Sequence, residues 1–180
     1  TRWLSDWSSD VCSSDLDGQL RWADAFVRDT PYQQLQAQVE LIADSNWRIV
    51  IPELTLRHPE LALDAEMVLQ LGEQPALSLL AELRGVAVED AHFYFPTRHL
   101  PASVIKYLTP ALLGGQIPQA RVLWHGAFRE FPFRQGTGKF QALAQIDDAE
   151  FSFDVHWPRL TGLDVALLFD NAQKIGRAHV

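Results

Sequence analysis

The sequence predicts a mainly β fold: a long antiparallel meander whose strands share one apolar face, with one short amphipathic helix near residues 101–113. Three observations carry this. Apolar and polar residues alternate with period two through most of the chain, and successive side chains of a strand point to opposite faces. Turn signals separate the alternating segments at intervals that suit hairpins between neighbours rather than βαβ crossovers. One stretch, residues 100–115, departs from the rhythm to a helical period.

The first clear segment is Gln34–Leu41, where Leu35, Ala37, Val39 and Leu41 alternate with Gln34, Gln36, Gln38 and Glu40. In the next, Leu61, Leu63, Ala65, Met67, Leu69 and Leu71 are interleaved with Asp64, Glu66 and Gln70. The pattern returns in Leu77, Leu79, Ala81 and Leu83, in Ala91, Phe93 and Phe95, and in Phe140, Ala142, Ala144 and Ile146. It closes with Phe151, Phe153, Val155 and Trp157, then Leu163, Val165, Leu167 and Phe169. Turn chemistry falls at Asp44-Ser45-Asn46, Gly72-Glu73-Gln74-Pro75, Gly136-Thr137-Gly138, Asp147-Asp148 and Thr161-Gly162. Strands of about ten residues reach roughly 33 Å, long for a small sandwich. In the helical stretch, Val104, Ile105, Leu108, Leu112 and Leu113 share one face, Pro101 suits the first turn and Gly114-Gly115 a stop, with Pro110 splitting off a last turn. Such a helix would lie across the apolar face as a lid.

The two ends read differently. Residues 6–16, DWSSDVCSSDL, spell one reading frame of a sequencing-library adapter, and residues 1–5 fit the bases upstream of it. Residues 174–180, KIGRAHV, spell the same adapter entered from the other side. Both ends are therefore expected to be non-native and without a partner in the sheet, which leaves 17–173 as a fragment of a longer chain. Three basic and three acidic residues leave with them, so the net charge stays at −8, and the single cysteine, Cys12, leaves too. A chain free of cysteine has no disulfide framework, Fe–S cluster or cysteine zinc site. An acidic chain without a Lys/Arg cluster is poorly suited to phosphate backbones, which argues against nucleic acid as a partner. No run of 18 apolar residues occurs, so no segment of this chain is expected to span a membrane as a helix.

No constellation of residues reads as an active site, and no catalytic residue, metal or cofactor is assigned. His58, His92, His99, His125 and His156 lack HExxH or similar ligand spacing. Ser78, Ser103 and Ser152 lack a G-x-S-x-G context, and Gly136-Thr137-Gly138 is too short for a phosphate loop. The aromatics are more informative. Phe93, Phe95, Trp124, Phe140, Phe151, Phe153, Trp157 and Phe169 can line one continuous face, which needs cover by a second sheet, by the helix or by a ligand.

Three runs carry a family resemblance: PTRHLPASVIKYLTPALLGGQI (Pro96–Ile117), ARVLWHGAFREFPFRQGTGKFQA (Ala120–Ala142) and AEFSFDVHWPRLTGLDVALLFDN (Ala149–Asn171). In this order they resemble the YhdP branch of the AsmA-like, bridge-like β-groove proteins of Gram-negative bacteria. The resemblance implies that 17–173 is a fragment of an AsmA-like β-groove domain. It implies a periplasmic protein, anchored to the inner membrane through a segment missing here, that supports phospholipid transport to the outer membrane and its biogenesis. The implied partners are phospholipid acyl chains and the rest of the same long chain on both sides; the family offers no catalytic residues. The residues expected to line the lipid groove are Leu35, Val39, Leu63, Met67, Leu69, Leu79, Phe93, Phe140, Ala144, Phe153, Val155, Val165 and Leu167. Elementary energetics agree: at about 0.8 kcal/mol per methylene, a sixteen-carbon chain exposed to water costs roughly 12 kcal/mol, so lipid crossing an aqueous space needs an unbroken apolar trough. Two other readings share parts of the pattern, an outer-membrane assembly scaffold and a carbohydrate-binding sandwich or glycosidase using Trp124 or Trp157 as a sugar platform.

Overall fold

The computed structural model describes residues 7–9, 18–20, 30–43, 46–94, 112–152, 159–171 and 173–179. Short strands β1 (Trp7–Ser9), β2 (Gly18–Leu20) and β3 (Thr30–Tyr32) precede the long ones. These are β4 (Gln34–Ala43), β5 (Trp47–His58), β6 (Leu61–Gln70), β7 (Ala76–Arg84), β9 (Leu112–Ala127), β10 (Lys139–Phe151) and β11 (Leu160–Asp170), with β8 (Val86–Ala87) and β12 (Gln173–His179) between and after them. One antiparallel sheet runs in the order β1-β4-β5-β6-β7-β9-β10-β11-β12, with β8 against β9 and a separate β2-β3 ribbon. The sheet is open, as the family resemblance implies: β1 and β12 end the order and it does not close into a barrel.

Register converts the alternation into rows that cross the strands. One row reads Leu35, Leu56, Leu63, Leu83, Ala120, Ala144 and Leu167 from β4 to β11. The next reads Ala37, Leu54, Ala65, Ala81, Val122, Ala142 and Phe169, and a third reads Ile51, Met67, Leu79, Trp124 and Phe140. All three lie on one face. Alternate residues such as Asp64, Glu66, Glu82, Arg121 and Gln145 take the other, as period two demands.

The alternating pattern of the sequence misses β5 and β9, and in β5 the reason is visible. Its apolar set is odd-numbered at Ile49 and Ile51 and even-numbered at Leu54 and Leu56, because a register shift at Pro52-Glu53 changes the parity of the strand. A proline inside a strand belongs at such an irregularity, where no ladder donor is needed. Without the shift, one half of β5 would turn its apolar side chains to water.

Other expectations are corrected. Leu112, Leu113, Gly114 and Gly115 belong to β9 and not to a helix end, while the rest of the expected helix lies outside the described residues. Gly115 works as an irregularity in the ladder: its φ is +124°, and a Cβ there would lie 2.9 Å from the Asp147 carbonyl oxygen. Ala91 and Phe93 fall in a 3-10 turn, Val88–Tyr94, and not in a strand. Asp147-Asp148 and Thr161-Gly162 are not chain reversals but sit inside β10 and β11, the first at a shift between Ile146 and Ala149. Phe151 ends β10, and positions 153–157 lie outside the described residues. Both ends also have partners: β1 pairs Trp7 with Leu41, and β12 pairs Gln173 with Asp170 through His179 with Asp164. Main-chain donors and acceptors pair with any exposed edge irrespective of side chain, so composition did not forbid this.

Packing concentrates in two clusters on the apolar face. The larger joins Leu56, Leu61, Val86, Val88, Ala91, Ile117, Ile146, Ala149, Phe151 and Leu163, with β8 and the 3-10 turn folded against the sheet. Leu56 is fully buried. Truncation there leaves a cavity, so Leu56→Ala is expected to cost about 2–5 kcal/mol in urea unfolding. Leu80 is 47 % exposed on the opposite face, and Leu80→Ala is expected to cost less than about 1 kcal/mol.

Candidate functional site

The apolar face is the feature to examine, because no charged side chain enters its rows. The second cluster covers one border of it. Leu77, Trp124 and Phe133 are buried there, with Met67, Leu69, Leu79, Phe128, Phe131 and Phe140 packed around them. The covering segment leaves β9 at Ala127, makes a short 3-10 turn at Phe128–Glu130, and returns to β10 at Lys139. Phe131 stacks on Trp124 at 5.0 Å and 19°, while Phe133 and Phe140 meet the same ring edge-on at 5.3 Å and 5.7 Å. Aromatic pairs at such separations and tilts gain beyond the area they bury. The Trp124 indole nitrogen donates to the Gly126 carbonyl at 3.1 Å, so the buried ring leaves no polar atom unsatisfied.

Phe133 has a φ of +55°, a left-handed conformation that a bulky residue rarely adopts. Its surroundings hold it there: a Cβ on Gly126 would fall 2.7 Å from the Phe133 ring, and one on Gly138 would fall 2.5 Å from it. Only glycine at both positions lets the ring in.

The residues expected to line the groove divide between the clusters. Leu35, Leu63, Val165 and Leu167 pack against the first, and Met67, Leu69, Leu79 and Phe140 against the second. Val39 and Ala144 are half-buried and belong to neither. Phe93 lies in the 3-10 turn, and Phe153 and Val155 lie outside the described residues. Leu54 and Leu56 lie on the same face and Phe131 and Phe133 pack over it, though none was among the expected residues. Pro52 inside a hydrophobic run was the available signal for the first two; Phe131 and Phe133 sit in a loop, where no periodicity announces burial.

The opposite face carries charge in a ladder across four strands. Arg57 and Arg84 both pair with Asp64, and Glu82 pairs with Arg84 and Arg121 at 2.9 Å each. Burial alone would raise the Asp64 pKa; the hydrogen bond from Arg57, the charges of Arg57 and Arg84 and the Thr55 hydroxyl outweigh it and hold the group below its ordinary 3.8. Hydrogen bonds from Gln119 and Arg121 lower Glu82, and those from Lys139 and Gln141 lower Asp170. This face is not wholly polar. Val50 is opposite Val68, Leu80 opposite Leu123 and Leu143 opposite Leu168, and these pairs break the charged pattern. Ser78 and His125 share a hydrogen bond of 2.9 Å on the same face. Among the described residues, no three His, Cys, Asp or Glu are grouped to hold a metal, and no helix is long and apolar enough to cross a membrane.

Comparison with known proteins gives a consistent result. The family described as "YhdP protein" matches residues 10–173. A curated relative, "Intermembrane phospholipid transporter YhdP" of Escherichia coli (strain K12), is 33 % identical over 102 residues, which is 55 % of this chain and 8 % of the relative. This chain therefore spans a small part of that protein's length. No solved structure matches.

The ladder sets an acid limit. Carboxylates with lowered folded-state pKa values contribute stability above their unfolded values, and that contribution is lost as pH falls through the folded values. The melting temperature is therefore expected to be insensitive to these groups from pH 7 to about 5 and to fall below it. In Asp64→Asn the acid-side fall should be shallower, at a neutral-pH cost of about 1 kcal/mol or less for so exposed a pair.

Proposed function

The chain belongs to the YhdP protein family, and on that premise we propose that it is one segment of a periplasmic β-groove protein that shields phospholipid acyl chains between the inner and outer membranes. In this reading the sheet continues into the rest of the same long chain on both sides, and a segment outside this chain anchors it in the inner membrane. The protein carries cargo and performs no chemistry on it. The observation that supports this most is the set of rows running from β4 to β11 without a charged side chain. An enzyme cleft places convergent polar groups on its apolar wall, and these rows have none. The relative named as an intermembrane phospholipid transporter supports the cargo class.

The sugar-platform alternative fares worse. Trp124 is buried, with one ring face stacked by Phe131, so it has no open face to offer a pyranose. Trp157 lies outside the described residues.

A charge on the apolar face tests the proposal. Ala144 lies on that face opposite Ala120 and Leu167, and Gln145 follows it on the other. In the full-length protein, Ala144→Arg is expected to cut phospholipid transfer by about tenfold or more, because an ion without its water beside a hydrocarbon chain is costly. Gln145→Arg is expected to transfer normally. Equal transfer by the two variants would count against an acyl path along this face.

A further inference from the structure

We propose that the segment Phe128–Gly138 is a fixed wall that limits where hydrocarbon can sit on the apolar face, with Phe131 and Phe133 as the specificity-determining residues. The inference rests on the acyl-carrying reading of that face and deepens it by naming the ligand-accessible part. It is a statement about packing. The segment folds back over one border of the sheet, where Phe133 retains 2 % of its surface and sits with Leu77 and Trp124. Phe131 and Phe133 also meet each other edge-on at 5.9 Å. Side chains in such a cluster do not swing aside for a ligand without giving up ring contacts on several sides.

The backbone points the same way. Phe133 holds a left-handed φ, and Gly126 and Gly138 leave room for its ring and for nothing larger than hydrogen of their own. A residue kept in a sparsely populated conformation persists only where its surroundings over-determine it, and such positions concentrate at binding clamps and other functional sites. A simple hairpin between β9 and β10 would need none of this. The segment costs conformational strain, and what it achieves is cover over Met67, Leu79 and Phe140.

The first cluster borders the apolar face on the other side, through Val86, Val88 and Ala91 packed on Leu56 and Leu61. Between the two clusters run residues that belong to neither, including Leu54, Ala65, Val122 and Ala142. Hydrocarbon is thereby confined to this band, and it crosses the strands beside the wall, not beneath it.

Leu54 and Leu79 provide matched reporters, both half-buried leucines on the apolar face, one in the band and one behind the wall. Photocrosslinking residues at each position in the full-length protein, in its native membranes, are expected to give phospholipid adducts at 54 and few at 79. Phe133→Ala should raise adducts at 79 several-fold relative to 54, and Phe133→Leu, which refills most of the volume, should raise them less. Phe131→Ala, at a half-buried ring, provides the same readout should Phe133→Ala fail to accumulate. Equal adducts at 54 and 79 in the parent, or adducts at 54 with no response at 79 in either alanine variant, would overturn the wall and leave the acyl path standing. Absence of adducts at both positions in every variant would overturn the acyl path and the wall with it.

Discussion

Strict side-chain alternation is the constraint on which this sheet depends. A strand of ten or more residues keeps one face apolar only while its register stays in phase with that of its neighbours, and a one-residue slip sends its whole hydrophobic set to the wrong side. The chain uses local irregularities to stay in phase. Pro52-Glu53 resets β5 between Ile51 and Leu54, and shifts near Gly115 and Asp148 let β9, β10 and β11 keep Ile117, Ile146 and Leu163 in one cluster. Each irregularity forgoes some ladder pairing. The return is a continuous apolar face from β4 to β11.

Much of this was legible in the sequence. β4, β6, β7 and β11 follow their alternation, and the first half of β10 does so through Ile146. What escaped was hidden by the same devices that make the sheet work. β5 was lost because its parity changes midway, and β9 because Gly114-Gly115 reads as a helix stop when taken without its partners. The helical spacing of Leu108, Leu112 and Leu113 misled at its C-terminal end, where ladder pairing of Leu112 with Phe151 and of Gly114 with Glu150 overrides local preference. The apolar face followed suit: strand residues such as Leu63, Met67 and Phe140 were placed on it from pattern, while Phe133, held by an unusual backbone and two flanking glycines, was not.

The two faces divide the energetic work. On the apolar face, burial is concentrated at the borders, where Val86–Ala91 and Phe128–Phe133 fold over the strands. On the other, exposed ion pairs from Arg57 to Arg121 contribute little each, since solvent screens them and the long side chains lose freedom on pairing. Their arrangement favours the observed register: Asp64 opposite Glu82 would repel, but the arginines at 57, 84 and 121 bracket them. A sliding strand would bring like charges together without those partners. The charged face thus guards alignment while the apolar face supplies cohesion.

The rows run across the strands, at right angles to the chain. Their length is therefore set by the number of strands and not by how long each strand is. With neighbours about 4.8 Å apart, the six intervals from β4 to β11 give a row of roughly 29 Å. A hairpin gained or lost anywhere between them would change that figure by about 10 Å while leaving every remaining pairing intact. Reach in such an architecture is modular: evolution can adjust it by duplication and deletion, as one adds rungs to a ladder, without redesigning the packing of any rung.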